Sequence, residues 1–126
     1  MKKSLLYVEL KSGFSDDGPA WIGNGEFSKS GRTIYFNNLA FQSLKGAGVG
    51  ANYYNLEDGD EYWISGVKKT GSDRHWAGRG IVEIDRSVVD EFYALTELKD
   101  LPKSEYVVVD LAVGNVRERI LEQQNS

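Results

Sequence analysis

The sequence contains no cysteine, one histidine and two prolines, and no apolar run reaches the length of about 18 residues that a membrane span needs. The lack of cysteine excludes disulfide bonds, thiolate metal sites, iron–sulfur ligation and cysteine nucleophiles. A single histidine excludes a histidine-rich metal site. The apolar stretch at residues 5–8 is too short for a signal peptide. We therefore expect a soluble cytoplasmic protein that has no metal or other cofactor and no membrane contact.

The composition supplies enough apolar material for one core. The chain has 126 residues, of which 40% are hydrophobic, including three Trp, seven Tyr and five Phe. A folded chain of this length buries about two-thirds of its surface. No internal repeat and no long linker divides the chain. We expect a single domain over residues 1–126.

Short strand-like runs, separated by turn residues, fill the first two-thirds of the chain. Asn37-Asn38 suits a primed hairpin turn, and Asp58-Gly59 is a second hairpin signal. After Asp85 the apolar period changes to that of a helix, with Ser87 or Asp85 as its cap. The predicted strands are residues 5–11, 21–28, 32–36, 39–44, 51–55, 61–69, 81–85 and 106–109.

The predicted fold class is mainly β (β-rich α+β), a small partly open barrel of SH3-like or OB-like type with one packed helix. Gly23 and Gly25 share a face of their strand, which favours the strong coiling of a small barrel. The barrel core is expected at about residues 5–85 and the helix at about 87–98. A strand and a short helical extension, starting after Gly114-Asn115, complete the chain at about 105–124.

Charge is distributed unevenly along the chain. Residues 28–56 carry three bases and no acid, and residues 57–61 carry four acids. The net charge is +3 over residues 62–81 and −5 over residues 82–110. In a barrel, the two basic segments can form one positive surface while the helix presents a negative one, although ordinary charge scatter on a solvated surface is the alternative.

The densest cluster of binding chemistry lies at residues 68–79, where cations, an indole ring and glycines alternate. These are the ingredients of a single-stranded nucleic-acid groove, and an acidic protein is the alternative partner. A purely structural hairpin is the alternative interpretation. Further aromatic residues can add stacking surfaces if they face outward, and the alternative is that they belong to the core: Tyr35, Tyr53, Tyr54, Tyr62 and Trp63. The predicted binding residues are Lys68, Lys69, Arg74, His75, Trp76, Arg79, Lys29 and Arg32.

Two other functions remain open. His75 is a weak candidate for general acid–base catalysis of phosphodiester cleavage, with Asp73 or Glu61 as the second group and Arg74 or Lys68 on the phosphate. The acidic stretch at residues 83–97 is instead typical of a protein-interaction or immunity-type module. The sequence leaves the oligomeric state open.

Two glycine-containing segments resemble ligand loops only in part. Residues 45–50 alternate glycine but lack the Gly-Lys-Ser/Thr ending of a phosphate-binding loop. Asp58-Gly59-Asp60-Glu61 lacks the remaining ligand spacing of a calcium loop. We interpret both as hairpin connections.

Three segments carry a resemblance to a known family: Gly-Pro-Ala-Trp-Ile-Gly at 18–23, Glu-Phe-Ser-Lys-Ser-Gly-Arg-Thr-Ile-Tyr-Phe-Asn at 26–37, and residues 62–78. With them the chain resembles, over about residues 5–98, a family of small uncharacterised bacterial proteins. Some members are labelled 1-deoxy-D-xylulose-5-phosphate synthase. That thiamine-dependent enzyme needs a far longer chain and a diphosphate site, so the resemblance implies no catalytic residue here.

Overall fold

Eight β-strands and one short helix make up the part of the chain that the structure describes. The structure is a computed structural model, and it describes residues 3–13, 18–44, 51–69, 81–96, 101 and 105–111. A 3₁₀ turn, Arg86–Val88, leads into the helix α1, Val89–Leu95. The strands are β1 (Lys3–Leu10), β2 (Ala20–Phe27), β3 (Thr33–Phe36), β4 (Leu39–Ser43), β5 (Tyr53–Asn55), β6 (Glu61–Gly66), β7 (Val82–Asp85) and β8 (Tyr106–Val109). The mainly β prediction with one helix is confirmed.

The first six strands form a closed antiparallel barrel. Each of them pairs with the next one along the chain, and β1 closes the ring because it pairs with β2 on one edge and with β6 on the other. The predicted small barrel is thus confirmed, but the ring is closed rather than partly open, because β1 pairs with both β2 and β6. An OB-fold is a five-stranded Greek-key barrel, whereas this ring has six strands in chain order. The closer likeness to SH3-like or OB-like barrels stays a prediction, and the C-terminal helical extension lies outside the described residues.

The connection between β3 and β4 is the primed turn that its sequence predicts. Asn37 and Asn38 have φ angles of 48° and 61°, and Phe36 pairs with Leu39 across the turn. Positive φ at both central positions gives a backbone twist that matches the right-handed twist of the flanking strands. Asparagine tolerates this conformation better than other residues with a side chain, so the local sequence sets this hairpin.

β2 has three neighbouring strands. One edge of β2 pairs with β1, while the other pairs first with β7, in parallel, and then with β3, in antiparallel. β8 extends the sheet beyond β7, again in parallel. At the gap between β7 and β3, a Cβ atom on Gly23 would lie 3.0 Å from Leu111 Cδ1 and 3.1 Å from Phe36 Cε2. Leu111, which follows β8, therefore fills the seam that the divergence of β3 and β7 leaves.

Two hydrophobic clusters pack on the two faces of β1. Even-numbered residues of β1 point into the barrel, and odd-numbered ones point outward beneath α1, because side chains alternate along a strand. The inner cluster contains Leu6, Val8, Ile34, Phe36, Phe41, Tyr62 and Ile64. The outer cluster contains Leu5, Tyr7, Ala20, Ile22, Val82, Ile84, Val88 and Phe92. The described residues thus divide into a packed barrel and a β–α layer outside it.

The helix α1 covers the outer cluster, as its apolar period predicts. Val88 and Phe92 are fully buried and Thr96 is nearly so, while Leu95 remains 39% exposed. The predicted cap is wrong: neither Asp85 nor Ser87 bonds a helix N–H through its side chain, and the Ser87 hydroxyl instead donates to Asp85 Oδ2 at 2.7 Å. The chain enters through a 3₁₀ turn, which moves the start of α1 past both residues.

The buried Tyr62 makes the stability of the barrel dependent on alkaline pH. Burial raises the pKa of its phenol above the ordinary 10.0, and the nearby Asp58 and Asp60 carboxylates raise it further. Since the unfolded chain ionises first, we expect stability to fall as the pH rises above 10 toward the folded-state pKa. Urea unfolding of the protein and of Tyr62→Phe across this range checks this, and the variant should lose less stability. Parallel curves would contradict it.

Candidate functional site

Five cations lie at one end of the barrel, where β1 begins and where β2 and β6 end. Lys3 pairs in register with Glu26 near the end of β2. β6 ends at Gly66, beside Leu6 of β1, so the residues that follow it leave at the same end. All five side chains belong to exposed residues. We call this set, Lys3, Lys29, Arg32, Lys68 and Lys69, the basic end.

The turn between β2 and β3 is organised by its own serines. The Thr33 N–H donates to Ser28 Oγ at 3.2 Å, and the Arg32 N–H donates to Ser30 Oγ at 3.3 Å. Gly31, with φ of 74°, donates its N–H to the Ser28 carbonyl at 2.9 Å. A positive φ is easily adopted by glycine. These bonds fix the turn and leave its two basic side chains at the surface.

An open depression of about 350 Å³ lies at the mouth of the barrel, beside this turn. Ser4 and Phe27 contribute from β1 and β2, and the half-buried Phe27 also packs against the inner cluster. Barrel mouths are common positions for small-ligand sites. The depression is lined by Ser4, Phe27, Ser28, Lys29, Ser30 and Gly31. We call it the mouth depression.

The opposite end of the barrel is acidic. The turn between β5 and β6 lies there, and it is closed by a bond from the Asp60 N–H to Asp58 Oδ1 at 2.8 Å. Gly59 has φ of 79°, which confirms the predicted Asp-Gly hairpin. The four acids of this turn are Glu57, Asp58, Asp60 and Glu61. The two ends of the barrel therefore carry opposite charge.

The register brings together the two basic segments that the sequence places far apart. Lys29 and Arg32 follow β2, Lys68 and Lys69 follow β6, and both strands end at the basic end. The expected negative surface of the helix is represented by Asp90 and Glu91, both exposed on α1. The other predicted binding residues, Arg74, His75, Trp76 and Arg79, lie outside the described residues, as does Asp73.

Some of the aromatic residues considered for stacking on bases point into the barrel, and others lie on its outer face. Tyr62 is 5% exposed and packs edge-on against Phe41, with ring centroids 4.8 Å apart, so it belongs to the core and offers no stacking surface. Its position in β6 points it into the core. Trp63 is 38% exposed on the outer face, and Tyr35 and Tyr54 are half-buried there.

A buried ionic cluster on the outer face of β1 escaped the sequence reasoning. Glu9 is 2% exposed, and its carboxylate accepts the Tyr7 hydroxyl at 2.5 Å and contacts Lys11 Nζ at 2.6 Å. The carboxylate oxygen Oε2 has no other hydrogen-bond partner within the described structure, which makes the ammonium its counter-charge. In the sequence Glu9 and Lys11 only interrupt an apolar run. Their spacing of two, which places them on one strand face with Tyr7, is the signal that marks the cluster.

Two classes of site find no support in the described residues. In the described part of the chain, no three His, Asp or Glu side chains are grouped closely enough to hold a metal ion. Across the same residues, no helix is long and apolar enough to cross a membrane. The geometry that remains is a charged barrel mouth.

The chain was compared with protein-family models, curated proteins and solved structures, and none of the three comparisons gives a match. The resemblance to small bacterial proteins stays a prediction, and the basic end is the feature of the structure that bears on function.

Proposed function

We propose that the protein is a non-enzymatic binding module whose basic end binds the phosphate backbone of single-stranded nucleic acid. The observation that carries the proposal is the register. It gathers Lys3, Lys29, Arg32, Lys68 and Lys69 at one end of the barrel, where Glu26 pairs with Lys3. Clustered cations on one face are the electrostatic footprint of a protein that binds nucleic acid.

Glu26 forms only a weak ion pair at this end. Lys3 Nζ lies 3.9 Å from Glu26 Oε1, and both side chains are solvent-accessible. Such an exposed ion pair is weak and is easily exchanged for another partner. The combined charge of the basic end favours an anion that is extended enough to contact several of its cations. A phosphodiester chain is such an anion.

A single strand fits this end better than a duplex. The cations sit on a barrel rim, with a depression beside Lys29, rather than along a helix or ribbon that could enter a groove. Single strands are bound by a positively charged track with aromatic rings for stacking, and Phe27 lines the depression. An acidic protein segment remains the alternative partner.

Two double variants test the proposal. Lys29→Ala/Arg32→Ala and Lys68→Ala/Lys69→Ala should each weaken binding of short fluorescent RNA and DNA strands similarly across sequences. Each phosphate contact on a single strand contributes a slope of about 0.7 to the dependence of log affinity on log salt. Loss of two contacts should therefore lower the slope by roughly 1.4. Fluorescence anisotropy over a salt series measures both.

Arg86→Ala is the matched control. Arg86 is exposed, follows β7 rather than β2 or β6, and pairs with Asp110 at 3.2 Å. Its replacement removes a cation of the same kind and should leave affinity and slope unchanged. Equal effects of all three variants would indicate net charge alone, and binding that neither double variant changes would refute the proposal.

The other functions stay predictions. His75, on which acid–base catalysis would depend, lies outside the described residues. Exposed Asp90 and Glu91 are the described part of the acidic surface on which a protein-interaction or immunity-type role would depend.

A further inference from the structure

We propose that the mouth depression is a subsite for one nucleotide, with the phosphate bound by the turn between β2 and β3 and the base placed against Phe27. This inference rests on the proposed function, which it makes specific. It names the part of the bound strand that each wall of the depression would contact.

The turn wall is rich in hydrogen-bond donors. Ser28 Oγ accepts from the Thr33 N–H, and Ser30 Oγ accepts from the Arg32 N–H. The two hydroxyl oxygens lie 3.4 Å apart, so one hydroxyl proton can lie between them. The second hydroxyl proton is then directed elsewhere and can be donated to a ligand.

An ammonium group completes this wall. Lys29 lines the depression and is exposed. Among the described residues that line the depression, none carries a carboxylate. A hydroxyl donor and an ammonium with no competing negative charge favour an anionic oxygen, and hydrogen bonds between charged groups are the strong ones. The phosphate of a nucleotide supplies such oxygens.

The apolar part of the lining is Phe27. Phe27 faces the barrel interior, is only half-buried, and lines the depression. An aromatic ring at the edge of a positive site is the surface on which a base stacks, whatever its sequence. Ser4, on the neighbouring strand, adds a hydroxyl that can donate to or accept from a base edge.

The size of the depression suits one unit of the strand. Its volume of about 350 Å³ is at the lower end of the range for small-ligand sites. One nucleotide is therefore held in the depression. The phosphates on either side of it extend toward the remaining cations of the basic end, Lys3, Arg32, Lys68 and Lys69.

The experiment compares three probes, namely uridine monophosphate, uridine and inorganic phosphate, by calorimetry and by amide shifts in NMR spectra at low salt. We expect the monophosphate to bind more tightly than either part alone and to shift the amides of the turn. Lys29→Gln should weaken monophosphate binding about tenfold, since it removes a charge-assisted bond. Phe27→Leu should weaken the monophosphate but not inorganic phosphate.

Arg86→Ala is the control for this subsite, because Arg86 pairs with Asp110 and neither lines the depression nor belongs to the basic end. It should leave monophosphate binding unchanged. Failure of the monophosphate to bind, with strands still bound in a salt-sensitive way, would overturn the subsite and leave the proposed function intact. Inorganic phosphate that binds as tightly as the monophosphate would overturn the nucleotide assignment. Monophosphate binding without strand binding would support the subsite and remove the proposed function. Because Lys29 is exposed, Lys29→Gln tests the subsite even if Phe27→Leu fails to fold.

Discussion

Replacing Lys11 by Met is expected to lower the free energy of unfolding by about 3–5 kcal/mol, because it leaves a buried carboxylate without its counter-charge. The Lys11 side chain is 15% exposed and that of Glu9 is 2% exposed, so water cannot take over the role of the ammonium. The aliphatic part of Lys11 is nearly matched by Met, which makes the loss one of charge rather than of packing. Urea unfolding, followed by circular dichroism, measures the change.

Lys3→Met is the matched control for this prediction. The Lys3–Glu26 pair joins β1 to β2, but its atoms are 3.9 Å apart and its side chains are 67% and 35% exposed. Such a pair contributes about 0–1 kcal/mol. Glu9→Gln combined with Lys11→Met should recover part of the stability, since it removes the unpaired charge. Similar losses for Lys11→Met and Lys3→Met would show that the buried pair has no special role.

Gly25→Ala is expected to destabilise the barrel by about 1–3 kcal/mol through overpacking. A Cβ atom at Gly25 would overlap Leu6 Cδ1 and lie 3.4 Å from Ile34 Cγ2. Leu6 is 5% exposed within the inner cluster, so its side chain has little room to move away. The close packing of Leu6 against the barrel wall therefore depends on the lack of a side chain at position 25. Thermal and urea unfolding of the variant measure the loss.

A second substitution, at Leu6, tests whether overpacking is the cause of this loss of stability. Leu6→Val shortens the side chain that the new methyl group would meet, so Gly25→Ala/Leu6→Val should lose less than the sum of the two single losses. Gly66→Ala is the control, since Gly66 lies in a strand and its Cβ would meet nothing within 4 Å. Additive losses, or an equal loss at Gly66, would contradict the overpacking explanation.

The local elements of this fold were predictable because short-range chemistry sets them. Positive φ at Asn37 and Asn38 specifies one turn and positive φ at Gly59 another, and the alternation of apolar residues specifies the strands on either side. Strand β8 was predicted with the same bounds that the structure has. These features depend on neighbours in the chain, so a single sequence contains the information for them.

The long-range features were beyond this reasoning. That β1 closes the ring against β6, and that β2 carries both β3 and β7 on one edge, depends on pairings between distant segments. The sequence indicated only that the two basic segments could form one surface. The end of the barrel at which each segment lies depends on the register of the strand before it. Glu9 and Lys11 were misjudged for a related reason: a charge pair in a strand is buried only when other elements cover that face.

The opposite charges of the two barrel ends give the molecule an electric moment along the barrel axis. A polyanion that approaches from solution would exert a torque on this moment, which turns the barrel mouth toward it and the acidic turn away before any contact is made. Encounters would thus be oriented at long range, and the association rate would exceed that of a molecule with the same cations spread evenly. Salt shortens the range of this field to about 10 Å at 0.1 M, so the orienting effect belongs to the association rate and fades before the contacts themselves are lost.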